Sequence, residues 1–172
     1  YTIGIANSKG VLAEHRSTLA DVSTVVMKDD SSGWAQSSGW RLDAIEAEPV
    51  AAEALSKVRM GADARDFEPG EYAVILDPYA TADLLEMLAY DSMGALAVQE
   101  GRSWLNGRMG QRIMAPNVTI VDDGFDISGI PLPFDFEGVP RKVVPIVEAG
   151  VAMGPVYDSF TAGREAGREA TG

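Results

Sequence analysis

The sequence predicts an α+β protein, in which a meander of antiparallel strands is combined with inserted helices. Three observations predict this class. The first forty residues alternate apolar and polar side chains in short runs, as strands do. Two segments with helical spacing follow, and the second is long enough for one central helix. Short apolar runs separated by Gly- and Pro-containing turns then return toward the end of the sequence.

The opening forty residues predict four strands. Residues 1–5 alternate, and residues 11–18 return after an Asn-Ser-Lys-Gly turn. A third strand is expected at 19–27, and the Asp- and Ser-rich residues 28–33 turn the chain into a fourth strand at 34–40. Consecutive strands joined by short turns are typical of an antiparallel meander.

A first helix is predicted from Pro49 to Met60. Proline suits the first helical position, and Gly61 is suited to end the helix. Its expected apolar side consists of four residues: Ala51, Ala54, Leu55 and Val58.

A short buried strand at 72–76 is expected to lead through Asp77-Pro78 into the long central helix, near 79–98. The expected apolar side of this helix consists of five residues: Leu84, Leu85, Leu88, Ala89 and Ala95. We divide the sequence into a meander over 1–48 and an α+β region over 49–172.

The last third of the sequence predicts shorter elements. Glycines make residues 101–110 loop-like, and residues 118–121 form a strand that ends at Asp122-Asp123-Gly124. Two further strands flank Ala149-Gly150, and a polar surface helix is expected over 159–169.

Composition limits the functional classes. With 46% hydrophobic and 23% charged residues, the chain resembles an ordinary soluble globular protein, and its apolar runs are too short to span a bilayer. The net charge of −12 disfavours contact with phosphate backbones, so we expect no nucleic-acid partner. The absence of Cys fits a cytoplasmic protein and excludes thiolate metal sites. Since the chain begins with Tyr1, we expect a fragment or a processed chain.

Few residues are candidates for chemistry. The single histidine, His15, lies in a predicted strand, and a zinc site usually needs three or four ligands. A Ser nucleophile would need that histidine as its base, and no Gly-x-Ser-x-Gly motif is present. The glycines of residues 101–110 do not match a phosphate-binding loop.

Carboxylates form the one acidic grouping of interest. Asp122 and Asp123 end a strand, and alternation along a second strand would place Asp135 and Glu137 on one face. Such a group could bind a hard cation or act in acid/base chemistry. The alternative is that these residues shape turns by accepting backbone N–H groups.

Several segments follow one another in a fixed order and spacing. They resemble the TldD/PmbA family of peptide-processing proteins, also called modulators of DNA gyrase. The segments that carry the resemblance are Gly39-Trp40, residues 70–78 (GEYAVILDP), 103–105 (SWL), 110–113 (GQRI), 118–123 (VTIVDD), 134–151, Ala162 and Thr171-Gly172.

The resemblance bears directly on metal binding. Members that resemble TldD carry His-Glu-x-x-x-His on the central helix, which supplies zinc ligands and a catalytic Glu. In this sequence the equivalent residues are 85–91, LEMLAYD. In one register Glu86 and Asp91 take the places of the two histidines, and in the other Leu85 and Tyr90 do. Neither register keeps an imidazole, so the resemblance implies the metal-free PmbA or TldE type, and we assign no catalytic or metal-binding residue.

The family also suggests partners. It implies that zinc belongs to a TldD-like metal-bearing subunit, or else that the chain forms a homo-oligomer, and that the substrate is an unfolded peptide. Family members are much longer than this chain, so we expect it to cover their central region. Two alternatives stay open: a peptide-binding or assembly module without proteolysis, which would use a sheet edge, and an independent enzyme that binds a divalent ion through Asp122, Asp123, Asp135 and Glu137.

Overall fold

The computed structural model describes residues 1–172 and confirms the α+β class, with antiparallel sheets and separate helices. A short 3-10 turn, Leu42–Ala44, lies between the fourth strand and the first helix. The elements, in chain order, are β1 Thr2–Ala6, β2 Leu12–Arg16, β3 Ala20–Lys28, β4 Ser31–Gly39, α1 Ala47–Met60, α2 Pro78–Ser92, α3 Ala95–Gln99, β5 Ile120–Asp122, β6 Val144–Glu148, β7 Val151–Ala152 and α4 Ser159–Gly163.

The four opening strands lie close to their predicted positions, but they pair as two separate hairpins, β1–β2 and β3–β4. The second hairpin has a shorter turn than the predicted 28–33. Lys28 pairs with Ser31, so only Asp29 and Asp30 lie in the turn. Asp29 adopts a φ of 53°, a conformation that Asp tolerates better than most residues. The predicted turn residues Ser31, Ser32 and Gly33 therefore belong to β4.

The chain forms two compact units, which are not contiguous in sequence, and the predicted division between residues 48 and 49 stays a prediction. The first unit comprises Tyr1–Thr2, Arg16–Ala73 and Ile127–Ile130, and the second comprises Ile3–His15, Val74–Asp126 and Pro131–Gly172.

In the first unit, α1 packs on the β3–β4 hairpin. The helix begins at Ala47, two residues before the predicted start, and ends at Met60 as predicted, with Gly61 as its C-cap. The predicted apolar face was partly wrong, since Val50 is buried whereas Leu55 is exposed. Small residues set the distance between helix and hairpin. Ala35 and Ala54 are fully buried at this contact, where Val22 and Val26 also pack.

The second unit is built around the three-stranded antiparallel sheet in the order β5-β6-β7. The strands that flank Ala149-Gly150 are confirmed, and β5 begins two residues later than the predicted strand at 118–121. The core of this unit contains five buried residues: Met93, Leu105, Ile146, Val147 and Ala152.

The predicted single helix near 79–98 is divided into α2 and α3. Asp77 begins α2 as predicted, because its side chain accepts a hydrogen bond from the Ala80 N–H at 2.8 Å. The division occurs at Met93-Gly94, where backbone hydrogen bonds join the chain to Val156 in both directions, at 2.8 and 3.0 Å. These tertiary bonds compete with the helical pattern. The predicted helix at 159–169 is likewise shorter, and α4 ends at Gly163.

The strand predicted at 72–76 is a larger discrepancy. Its backbone belongs to no sheet, and its apolar side chains are exposed, Ile75 completely so (101% of its reference area). Most of the predicted apolar side of α2 is exposed as well, and only Leu88 reaches the core. None of the helices combines the length and apolarity that crossing a membrane requires.

Candidate functional site

A cavity of about 410 Å³ lies in the second unit, between α2 and the sheet. The helix side contributes Leu85, Glu86 and Ala89, which belong to the segment where the sequence predicted either chemistry or packing. The sheet side contributes mainly apolar side chains. The remaining lining residues are Met93, Ile120, Val121, Asp122, Ile146 and Val156. A largely apolar cavity of this size is suited to one or two apolar side chains of a ligand.

Two carboxylates stand at this cavity, and they differ in their surroundings. Asp122 pairs with Arg141, whose Nη1 lies 3.3 Å from Asp122 Oδ2 and 3.5 Å from Oδ1. Arg141 Nε is buried without a hydrogen-bond partner, so this guanidinium is only partly satisfied. Glu86 lies on an exposed part of α2. The cavity therefore combines an apolar interior with one ion-paired carboxylate, Asp122, and one exposed carboxylate, Glu86.

The other predicted carboxylates have structural partners. Asp123 Oδ1 accepts a hydrogen bond from the Phe125 N–H at 2.9 Å, which shapes a turn. Asp135 Oδ1 accepts from the N–H groups of Glu137 and Val139, at 2.9 and 2.8 Å. The expectation that Asp135 and Glu137 share one face of a strand is wrong, because these residues lie in a tight turn.

Glycine makes that turn possible. Gly138 has a φ of 84°, which costs glycine little, and it lies against Val11 of the first hairpin. The Glu137 side chain has a partner outside the turn, since its Oε2 accepts a hydrogen bond from the Ser159 N–H at 2.8 Å. The four acidic residues are therefore distributed over separate interactions, each of the kind expected of a structural carboxylate.

His15 lies on β2, half-buried, and its Nε2 is buried without a hydrogen-bond partner. No set of three or more His, Asp or Glu side chains among residues 1–172 is arranged to hold a metal ion. A single imidazole without neighbouring ligands does not form a zinc site.

A polar network near the end of the chain was missed by the sequence analysis. The Tyr157 hydroxyl donates to Glu165 Oε2 at 3.0 Å, and Gln99 Nε2 donates to Glu165 Oε1 at 2.9 Å. Hydrogen bonds from Gln99 and Tyr157 lower the pKa of Glu165, and burial raises the pKa of Tyr157. Gln99 and Glu165 are 66 residues apart in sequence, so no local pattern could have predicted their contact.

Comparison with known proteins places this architecture in a family. Residues 69–172 match the model of the PmbA/TldA metallopeptidase C-terminal domain, and residues 1–61 match the model of the central domain of the same proteins. The chain belongs to the PmbA/TldD family. The predicted resemblance is therefore confirmed, and α2 and the cavity lie in the part that matches the C-terminal domain.

Individual relatives agree with this assignment. An uncharacterized protein from Methanocaldococcus jannaschii is 30% identical over 169 residues, which cover 98% of this chain and 40% of that protein. A Thermotoga maritima protein described as a modulator of a DNA gyrase has a TM-score of 0.86 and 26% identity, over 99% of this chain and 40% of that one. TldE from Thermococcus kodakarensis shares the fold, with a TM-score of 0.75 and 21% identity over the same shares. The chain spans about two fifths of the length of these relatives.

The matching domains are those of metallopeptidases, so we asked whether the residues at this site could bind zinc. The α2 residues at the cavity, Leu85, Glu86 and Ala89, include no imidazole, and His15 lies on a different element. The donors present in this PmbA/TldD chain therefore do not fit a conventional zinc site.

Proposed function

We propose that this chain belongs to the metal-free, non-catalytic subunit of a TldD/PmbA-type peptidase that processes unfolded peptides. The observation that carries the proposal is the composition of α2. The segment that resembles the zinc-binding segment of the family reads Leu85-Glu86-Met87-Leu88-Ala89-Tyr90-Asp91. In this proposal, zinc and the residues that activate water belong to a TldD-like partner subunit.

The geometry of α2 supports a role without metal. Successive residues of a helix are rotated by about 100°, so Glu86 and Asp91 point about 140° apart and cannot share one ion. In the alternative register the two histidine positions hold Leu85 and Tyr90, which are not metal ligands. Of the α2 carboxylates only Glu86 lines the cavity, and the other carboxylate there, Asp122, is paired with Arg141. The cavity therefore does not offer the three or four ligands that a zinc site needs.

The cavity supports a role in holding peptide. Unfolded peptides differ from folded proteins in exposing apolar side chains, and the mainly apolar wall formed by α2, β5 and β6 is able to accept one of them. The net charge of −12 disfavours direct DNA contact, so we attach no DNA-binding role to the gyrase description of the Thermotoga relative. Without Cys, the chain fits the cytoplasm, where we place the complex.

Reconstitution tests this proposal. The full-length protein is mixed with the metal-bearing subunit encoded by the same organism, and cleavage of an unfolded peptide is followed by mass spectrometry. We expect cleavage only by the mixture, with loss of cleavage after a chelator is added and recovery with zinc. Chelator-sensitive cleavage by the full-length protein alone would overturn the proposal.

A second candidate function is peptide binding without any part in proteolysis, which the apolar cavity also favours. Trp104 is partly buried against the core that lies beside the cavity. Titration of the full-length protein with unfolded peptides, followed by tryptophan fluorescence, would then show saturable binding, and the metal-bearing subunit would add no cleavage. Saturable binding together with restored cleavage would favour the first proposal.

A further inference from the structure

Residues 72–76, which we call the open strand, have the composition of a buried strand and none of its contacts. The backbone N–H and C=O groups of Ala73, Val74, Ile75 and Leu76 form no hydrogen bonds within the chain. The exposed fractions of Val74, Ile75 and Leu76 are 70, 101 and 47%. Unpaired backbone beside large apolar side chains is a combination that folded proteins avoid, because such an edge associates with other chains.

The sequence of the open strand defines what would cover it. In an extended chain Val74 and Leu76 point to one side and Ile75 to the other, so both faces are apolar. Apolar residues on both faces are typical of an interior strand, which is paired at its edges and covered on each side. A single helix docked on one face would leave the opposite face in water.

The helix that follows, α2, also exposes large apolar side chains. Met87 and Tyr90 of α2 are 63 and 90% exposed, and Leu84 is 56% exposed. The open strand leads directly into this helix through Asp77, so the two exposed surfaces are adjacent in the chain. Large apolar side chains exposed in two neighbouring segments indicate a surface that another part of a protein covers.

We propose that the open strand is an interior strand of a larger sheet, which is completed by an extended, alternating apolar segment of the same polypeptide outside residues 1–172. The same added layer covers the outer face of α2. The relatives that this chain matches are about two and a half times as long, so polypeptide of the required length exists in such proteins. The inference concerns the fold and does not depend on the proposed function.

Two other occupants fit the observations less well. A substrate peptide would be absent for part of each reaction cycle and would leave the backbone of the open strand unpaired at those times. A second copy pairing through the same segment would satisfy one edge of the strand. It would leave both faces of the strand uncovered, the one that carries Ile75 and the one that carries Val74. A permanent segment of the same chain satisfies edges and faces together.

Amide hydrogen exchange of the full-length protein tests the inference. We expect the amides of residues 73–76 to exchange at least about a hundredfold more slowly than in the unfolded protein, as amides of an interior strand do. This protection should not change when the protein is diluted until it is monomeric. Exchange at the unfolded rate would overturn the inference, and protection that disappears on dilution would assign the cover to another subunit and would also overturn it.

Thiol labelling provides a second measurement. In the full-length protein the variant Ile75→Cys should react slowly with a thiol reagent in native buffer and rapidly in denaturant. Asp30→Cys, in the exposed turn between β3 and β4, provides the matched control and should react rapidly in both conditions. Equal native rates for the two variants would contradict the inference. If Ile75→Cys does not fold, the exchange experiment on the unaltered sequence decides.

Discussion

Glu137 Oε2 accepts a hydrogen bond from the backbone N–H of Ser159 at 2.8 Å, which connects the acidic turn at 134–140 to the first residue of α4. The N–H groups at the start of a helix have no partners within it, and a carboxylate there also interacts favourably with the helix dipole. A residue that the sequence offered as a cation ligand thus stabilises a helix start.

Removal of this carboxylate should destabilise the fold. We expect Glu137→Ala to lower the free energy of unfolding by about 0.5–1.5 kcal/mol, because the Ser159 N–H loses its protein partner. Glu137→Gln keeps an acceptor and should lose less. Urea unfolding of the full-length protein measures both, and Asp66→Ala, at an exposed position outside the helices and strands, provides the control. Equal stability of all three variants would remove this role from Glu137.

Elements that are determined by residues close together in sequence could be predicted, and elements that depend on distant residues could not. Alternation revealed β3, and the Asp77-Pro78 start of α2 was visible because capping involves residues three apart. The division between α2 and α3 was not visible, since it results from hydrogen bonds to Val156, more than sixty residues away. Spacing alone also could not show that the apolar stripe of α2 would lie largely outside the core.

The candidate site divides in the same way. The lack of histidine on α2 could be predicted from the sequence, because it concerns one short segment. The cavity was not, because it requires α2, β5, β6 and Val156 to meet. The distribution of the four carboxylates over separate turns was also hidden, since Glu137 finds its partner 22 residues away.

Gly33 permits the close contact between β4 and α1. A Cβ atom at this position would overlap the Ala54 carbonyl oxygen and would lie 2.8 Å from the backbone nitrogen of Val58. We therefore expect Gly33→Ala to cost about 1–3 kcal/mol of stability, as overpacking of a tight contact does. Gly4→Ala is the matched control in another strand, because its Cβ would meet no atom within 4 Å. A loss of stability in Gly4→Ala as large as in Gly33→Ala would contradict this account.

Stability should fall at low pH through Asp158 and Glu165. Hydrogen bonds from the Thr161 hydroxyl and N–H lower the pKa of Asp158, and those from Gln99 and Tyr157 lower that of Glu165. A lowered folded-state pKa gives stability that is present above the unfolded pKa, about 4, and is lost as the pH falls through the folded value.

The Tm of the full-length protein should therefore decline below about pH 5 and level off once both carboxylates are protonated. The decline should be less steep in Asp158→Asn and in Glu165→Gln, which cannot titrate at these positions. The same slope in the unaltered protein and in both variants would show that these carboxylates do not contribute.

The carboxylate of Glu86 should be dispensable for catalysis. We expect Glu86→Gln in the reconstituted complex to leave kcat for an unfolded peptide unchanged, because in our proposal the catalytic carboxylate belongs to the partner. The matched control is the Glu→Gln change within the His-Glu-x-x-x-His motif of the partner, which should abolish cleavage. A large decrease in kcat with Glu86→Gln would mean that α2 takes part in the chemistry.

The zinc content of the full-length protein, purified without chelator and before any contact with the partner, tests the central claim most directly. Because α2 has no histidine and residues 1–172 hold no metal-binding cluster, we expect far less than one zinc ion per chain, with the metal appearing only in the complex with the partner. One tightly held zinc ion per isolated chain, removed by a chelator together with peptide cleavage, would contradict the claim that this is the metal-free subunit.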